Sequence, residues 1–308
     1  MRNTQRDRKH QKRVNDVWQG AWELSEAPTE SAPLATVKRL LRQSGLRPRK
    51  RFGQNYLVDQ GVLARIVAAA DLGPSDTVVE VGPGLGTLTR ELAERARRVL
   101  AIEIDRDLVN LLNRTLSSYP NVEIINEDVL AFDPQKALGG TPYKVVANLP
   151  YYITSPTLRH FLEAKHRPVL MVLMVQREVG ERIVAKPGDM SVLSVSVQFY
   201  GDARLVTLVP PAAFYPPPKV ESAVVRIDVR QKPKIDVDEE KFFRVVHAGF
   251  SQPRKQLHNA LARAIWLPPG KAIDLLLEAG IDEKRRAQTL SLEEWAELTR
   301  VFARHGYV

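Results

Sequence analysis

The chain has 308 residues, a formal charge of +9 and no cysteine, which is enough length for one large domain or for a medium and a small one. The absence of cysteine excludes disulfide stapling and thiolate catalysis. The longest clearly apolar run, Val169 to Val175, is too short to cross a bilayer, so a soluble protein without a membrane partner is expected.

In chain order, the first feature is a basic arm. Residues 1 to 51 hold 13 Lys or Arg against 5 Asp or Glu, a net of +8, so nearly all of the excess charge lies there. Such an arm suits a polyanionic partner through counterion release, and it equally suits a solvated tail. Asp7, Asp16, Glu23 and Glu26 argue against a transit peptide, and a cytoplasmic setting is expected. With no sustained apolar period before Leu34, residues 1–33 read as a basic, disordered extension.

From Leu34 onward short β-branched runs alternate with amphipathic stretches. The pattern predicts helices over Val62 to Ala70, Thr87 to Arg97, Asp105 to Leu116 and Thr154 to Ala164. Between them it predicts strands over Thr77 to Val81, Val99 to Glu103, Val122 to Ile125, Lys144 to Ala147 and Val169 to Val175. This is the punctuation of an α/β domain with a mostly parallel, doubly wound sheet, placed over residues 34–230 and closed by the run Ala223 to Val229. Only helical patterns follow: Lys241 to Phe250, Arg254 to Ala264, Lys271 to Ala279 and Leu292 to Arg304. Residues 231–308 therefore read as a small helical C-terminal domain.

The strand Thr77 to Val81 runs into Gly82, Pro83, Gly84, Leu85 and Gly86, and a helical pattern begins at once. Glycines at such a turn allow a ligand to approach backbone NH groups at a helix N-terminus. A dinucleotide site is the competing reading. It fits less well, because Glu80 precedes the turn and Pro83 interrupts it, whereas a pyrophosphate needs open NH groups and no adjacent carboxylate. Glu103 ends the second strand, where an acidic side chain can accept hydrogen bonds from ribose hydroxyls, and Asp128 follows the third, where it can accept one from an adenine amino group. Either alone would read as a solvated strand end. Glu80, Glu103 and Asp128 together suit a cofactor that carries an amino acid ammonium, a ribose and an adenine.

After the fourth strand come Asn148, Leu149, Pro150 and Tyr151. The element resembles the Asn/Asp-Pro-Pro-aromatic motif of methyltransferases that act on exocyclic amino groups, with Leu149 in place of the first proline. The N6 lone pair of adenine is delocalised into the ring until acceptors hold its hydrogens. The Asn148 side-chain oxygen and the Leu149 carbonyl can do so. Tyr151 can stack on an unstacked base, Phe214 on its Pro-rich loop is a second clamp candidate, and Tyr152 is expected in the core.

Taken together, Arg51 to Leu57, Glu80 to Thr87, Asn148 to Tyr151 and Phe214 to Ser222 closely resemble the ribosomal RNA adenine dimethyltransferase family. The resemblance spans roughly residues 40 to 305. It implies a Rossmann-like S-adenosyl-L-methionine-dependent methyltransferase sheet with a small helical C-terminal domain, acting without a metal and as a monomer. The implied reaction is dimethylation of N6 of two adjacent adenosines in a loop near the 3′ end of 16S rRNA. The implied substrate is the small ribosomal subunit or its precursor, and the step contributes to ribosome biogenesis. Carried over by position, cofactor contacts fall on Asn55, Leu57, Glu80, Gly82, Gly84, Glu103, Asp128 and Asn148. Asn55 and Leu57 rest on the resemblance alone, since by themselves they read as a loop before the helix at Gln60. Arg254 and Lys255, on a helix resembling a basic helix of the small-subunit enzymes, are candidate RNA phosphate contacts; a solvated basic face is the other reading.

The chain departs from the family pattern in three places. Tyr56 replaces the usual Phe, the segment Lys186 to Val195 lacks a longer insert, and the first thirty or so residues have no counterpart. Two alternatives stay open: a non-catalytic RNA-binding or assembly factor on the same fold, and a methyltransferase acting on large-subunit RNA or DNA. Pro216 to Ser222 and Arg254 to Leu261 favour the small-subunit branch.

Overall fold

The computed structural model describes residues 32–49 and 52–308. The expected disordered extension therefore lies, up to residue 31, outside the described residues, as does Arg51 of the first motif. Helix α1 (Ala32–Ser44) starts two residues inside the stretch assigned to that extension. It buries Val37 and Leu41, four residues apart on one face, against Tyr56, Leu85, Leu108 and Leu111.

The remaining elements follow in chain order: β1 (Tyr56–Leu57), α2 (Gln60–Ala70), β2 (Thr77–Val81), α3 (Thr87–Ala93), β3 (Arg98–Glu103) and α4 (Arg106–Thr115). Next come β4 (Val122–Asn126), α5 (Pro134–Leu138), β5 (Tyr143–Asn148), α6 (Thr154–Leu162), β6 (Leu170–Gln176), α7 (Arg177–Ile183) and α8 (Val192–Tyr200). The series ends with β7 (Gly201–Val209), β8 (Phe214–Tyr215), β9 (Ser222–Val229), α9 (Glu239–Phe250), α10 (Leu257–Ile265), α11 (Lys271–Glu278) and α12 (Leu292–Arg304). Side-chain caps start several of these helices. Asp59 accepts from Val62 N–H, Asp105 from Asp107 N–H, and Ser291 with Glu294 forms a capping box at α12.

Seven strands form one sheet in the order β4-β3-β2-β5-β6-β9-β7. The first five run parallel, and β9 inserts antiparallel between β6 and β7. The expected mostly parallel α/β sheet is present. From β2 the chain winds outward through β3 and β4, then crosses back to β5 on the other side of β2. Their connections therefore diverge at the carboxyl ends of β2 and β5 and leave a crevice there, the position at which open α/β sheets bind ligands.

One face of the sheet packs on α2 and α3 through Leu63, Ile66, Leu88 and Leu92. The other face continues without a break into the C-terminal helices: Phe199 of α8 stacks on Phe242 of α9 with ring centroids 4.7 Å apart. Deeper in that layer α9 crosses α12 at Gly249, where an added Cβ would come within 2.4 Å of the Trp295 ring. Glycine is what lets the two helices close on the fully buried indole.

The sequence pattern predicts no elements over 177–209, where α7, α8 and β7 lie. In the Val192–Tyr200 stretch Ser194, Ser196 and Gln198 alternate with apolar residues, a period that suits a strand and does not declare a helix; the Ser191 and Ser194 capping box does. The shortened segment before it is docked, with Gly188 and Met190 N–H both donating to the Gln288 carbonyl at 2.9 and 3.1 Å. Among the described residues no helix is long and apolar enough to cross a membrane.

Candidate functional site

A cleft of about 330 Å³ opens at the carboxyl edge of the sheet. Its walls are the glycine turn after β2, the ends of β3 and β4, the segment Asn148 to Ile153 after β5, and the strap Phe52 to Leu57 that precedes α2. Sequence reasoning had placed Asn55, Leu57, Glu80, Gly82, Gly84, Glu103, Asp128, Asn148, Leu149 and Tyr151 in one site, and the fold brings all ten to this cleft.

The three carboxylates occupy three different environments. Glu80 is 1% exposed, and its Oε2 has no hydrogen-bond partner among the described residues. Burial pushes its carboxyl up to about 8, with the Glu103 charge adding to the shift and the Thr89 hydroxyl opposing it. Glu103 is also buried and also raised by burial, but it is partly satisfied. Its Oε1 accepts from Asp105 N–H at 3.0 Å, and its Oε2 faces Gly84 N–H at 3.4 Å. Asp128 is exposed at the rim, and its Oδ1 accepts from Leu130 N–H at 3.0 Å. A buried orphan, a half-satisfied acceptor and a solvated one can hold, respectively, a cation or strong donor, a pair of hydroxyls and an amino group.

The glycine turn serves a different purpose from the one its sequence suggests. Gly82, Gly84 and Gly86 all adopt φ between 58° and 77°, which explains the residue type. Their NH groups, however, are spent inside the protein: Gly82 donates to Ile102 O at 2.9 Å and Gly86 to Pro83 O at 2.9 Å. The turn therefore does not offer the open NH nest that a pyrophosphate requires, and the dinucleotide reading loses its physical basis.

Across the cleft the strap orients the motif after β5. The Asn148 side chain sits against the Asn55 carbonyl at 3.2 Å. A carbonyl can only accept, so the atom facing it is Nδ2, which leaves Oδ1 of this cleft-lining residue without a hydrogen-bond partner among the described residues. The Leu149 carbonyl accepts no hydrogen bond from the described residues, while Leu149 N–H is tied to Met174 O at 3.2 Å. Two acceptors thus come from successive residues with fixed orientations. The Tyr151 ring borders the cleft, held through a 2.7 Å hydrogen bond between its hydroxyl and Ser222 Oγ.

Three expectations need correction. Tyr152, expected in the core, is 57% exposed and lines the cleft, because the tight turn Tyr151–Ile153 throws it outward. Phe214, expected as a second aromatic clamp, is 4% exposed and does not line the cleft. It pairs with Leu57 in a two-stranded antiparallel ribbon, and its side chain packs into the apolar layer with Leu57, Leu63 and Ala213. Arg254 and Lys255 are exposed and stand in the turn before α10, not on the helix, and neither lines the cleft.

One group of residues was missed altogether. Arg49 donates to Asp105 at 2.7 Å and to Asp107 at 2.5 Å, Gln54 Nε2 donates to Asp105 at 3.2 Å, and Tyr56 OH donates to Gln54 at 3.1 Å. This clasp fastens the strap to the loop that follows Glu103. The Tyr56 ring then closes over the glycine turn, within 3.2 Å of where a Gly84 Cβ would be. The sequence signal for the clasp is limited to Gln54 in the strap and Arg49 just before it, since their carboxylate partners lie more than fifty positions away.

Comparison with known proteins places the chain among ribosomal RNA methyltransferases. The family model described as ribosomal RNA adenine dimethylase matches residues 45–304. A ribosomal RNA small subunit methyltransferase A from Dehalococcoides mccartyi is 50% identical over 277 residues, covering 89% of this chain and 95% of the relative. Among solved structures, the 23S rRNA methyltransferase ErmE is 32% identical with a TM-score of 0.66, over 81% of this chain and 100% of that one. A dimethyladenosine transferase from Plasmodium falciparum is 26% identical with a TM-score of 0.68, over 82% of this chain and 98% of that one.

Proposed function

The chain belongs to the ribosomal RNA adenine dimethylase family, and from that premise we propose that its cleft methylates N6 of two adjacent adenosines near the 3′ end of 16S rRNA. The substrate is the small ribosomal subunit or its precursor, and the methyl donor is S-adenosyl-L-methionine. The observation that carries this reading is the Asn148 amide, whose nitrogen is bound to the Asn55 carbonyl so that Oδ1 stays available as an acceptor in the cleft wall next to the unpaired Leu149 carbonyl.

The residues present fit the donor. The unpartnered Glu80 Oε2 suits a cationic or hydrogen-bonding group at the cleft floor. Glu103 suits ribose hydroxyls and Asp128 an adenine amino group, with Asn55, Leu57, Gly82 and Gly84 forming the adjacent walls. When bound, the cofactor supplies an electrophilic sulfonium methyl. Asn148 Oδ1 and the Leu149 carbonyl accept the two N6 hydrogens of the target base. They thereby favour a tetrahedral nitrogen whose lone pair stands clear of the ring, and they face the positive charge that develops there. With one methyl already in place a single hydrogen remains, and one of the two acceptors suffices for the second transfer. Tyr151, and the exposed Tyr152 beside it, offer ring faces to an unstacked base. The walls position both reactants, so no covalent intermediate is needed.

The test is to incubate the protein with labelled S-adenosyl-L-methionine and undermethylated small subunits, then map the product. Dimethyladenosine at two neighbouring positions near the 3′ end of the small-subunit RNA is expected. Label confined to large-subunit RNA, or none at all, would overturn the assignment.

A further inference from the structure

We propose that Trp266 is a nucleobase-stacking residue and that the outer face of α10 holds a stretch of unpaired RNA, a role resting on the RNA substrate proposed above. Trp266 is 91% exposed, the most open of the large apolar side chains among the described residues. It ends α10 in the left-handed conformation, at φ 57° and ψ 46°. The reversal is fixed: Trp266 and Leu267 N–H both donate to Ala262 O, Leu267 packs on the apolar core, and Pro268 and Pro269 follow.

Glycine is the residue this conformation favours. A tryptophan there gains neither backbone ease nor burial within the chain, so its ring serves something outside the chain. Its surroundings indicate what that is. Asn259, Arg263 and Trp266 are exposed at helical spacing on one face of α10, while Leu257, Ala260 and Leu261 bury the opposite face. Arg254 and Lys255 stand just ahead of this stripe in the turn before the helix. Arg263, Arg254 and Lys255 form no ion pair or side-chain hydrogen bond among the described residues, although Asp282 and Glu283 lie on the loop that packs at the start of the helix. Unpaired cations leading to an exposed ring match a phosphate backbone with one base turned out. An RNA duplex would bury its base faces in its own stack and leave nothing for the indole to cover, so the partner is unpaired.

The experiment compares the full-length protein with Trp266→Ala, Trp266→Phe and Trp266→Gly. Affinity for a labelled, unstructured RNA oligonucleotide is read by anisotropy, and affinity for undermethylated small subunits is read in parallel. Trp266→Ala should bind the oligonucleotide roughly tenfold more weakly, while Trp266→Phe stays within about threefold of the parent. Trp266→Gly should lose the same binding while keeping or raising the melting temperature, which separates the ring's role from folding. Affinity for S-adenosyl-L-methionine and turnover at saturating subunits should not move in any variant. Unchanged oligonucleotide binding by Trp266→Ala would overturn the proposal. A loss seen with intact subunits and not with the oligonucleotide would overturn it too, assigning the ring to a ribosomal protein surface. A parent protein that binds the oligonucleotide through Trp266 and methylates nothing would instead remove the proposed reaction and leave this site standing.

Discussion

Glu80 and Trp295 each keep a buried polar atom without a hydrogen-bond partner, Oε2 in one and Nε1 in the other, and they lie in regions built to opposite ends. Trp295 is sealed between α9 and α12, where the indole fills the space left by Gly249 and touches nothing but protein. Its orphan N–H costs roughly 1–3 kcal/mol, offset by burial of a large ring. Glu80 lines a cleft that a ligand can enter. The same defect is structural in the helical layer and receptive at the sheet edge, and access to a cavity decides which. Changes at the sheet edge should therefore cost activity at little cost in stability, and changes in the helical layer should do the reverse.

The largest effect is expected at Asn148. Asn148→Ala removes one of two fixed acceptors and should lower kcat by about 10²- to 10³-fold, as removal of a preorganised hydrogen-bonding group does. Titration calorimetry should still detect cofactor binding, and the melting temperature should move little, because the residue is only half-buried at the end of β5. A variant with near-normal turnover would break the assignment of the sheet edge as the chemical site.

That site was half legible beforehand, and its two halves differ in how local they are. The glycine turn, Glu80, Glu103 and Asn148 each sit at the end of a strand whose pattern is written within ten residues, so βα punctuation located them. The contact that orients Asn148 comes from Asn55, 93 positions away, and the Arg49 clasp spans 56 to 58 positions. Side chains alone carry no sign of such partners. Phe214 was misplaced for the same reason, since its burial depends on pairing with the distant Leu57. The mostly parallel sheet followed from alternation of type, whereas α8 was invisible because its apolar and polar residues alternate as they would in a strand.

Gly249→Ala tests the helical layer. The new Cβ would meet Trp295 Cη2 at 2.4 Å and Leu257 Cδ1 at 3.0 Å, and neither ring nor neighbour has room to retreat. Overpacking of this kind costs about 1–3 kcal/mol, so a clear drop in the melting temperature is expected. Methyl transfer per folded molecule, measured well below that temperature, should be unchanged. Loss of activity without loss of stability would break the division between the regions.

The test that addresses the orphan carboxylate itself is a pH dependence. In the folded protein the Glu80 carboxyl is pushed up to about 8 by burial, whereas in an unfolded chain it titrates near 4.3. Between those values the folded state holds a proton that the unfolded state has released, so the contribution to stability is full below about 4.3 and is lost as pH rises toward 8. Glu80→Gln has no such proton. Its melting temperature relative to the parent should therefore climb between pH 5 and pH 8.5 in the absence of cofactor, and level off above that. Saturating S-adenosyl-L-methionine should shrink the difference, because a cationic group beside Oε2 stabilises the ionised parent and finds no charge in the variant. A difference that ignores pH would mean that Glu80 keeps the same proton count in both states. The sheet-edge orphan would then be as inert as the one in the helices.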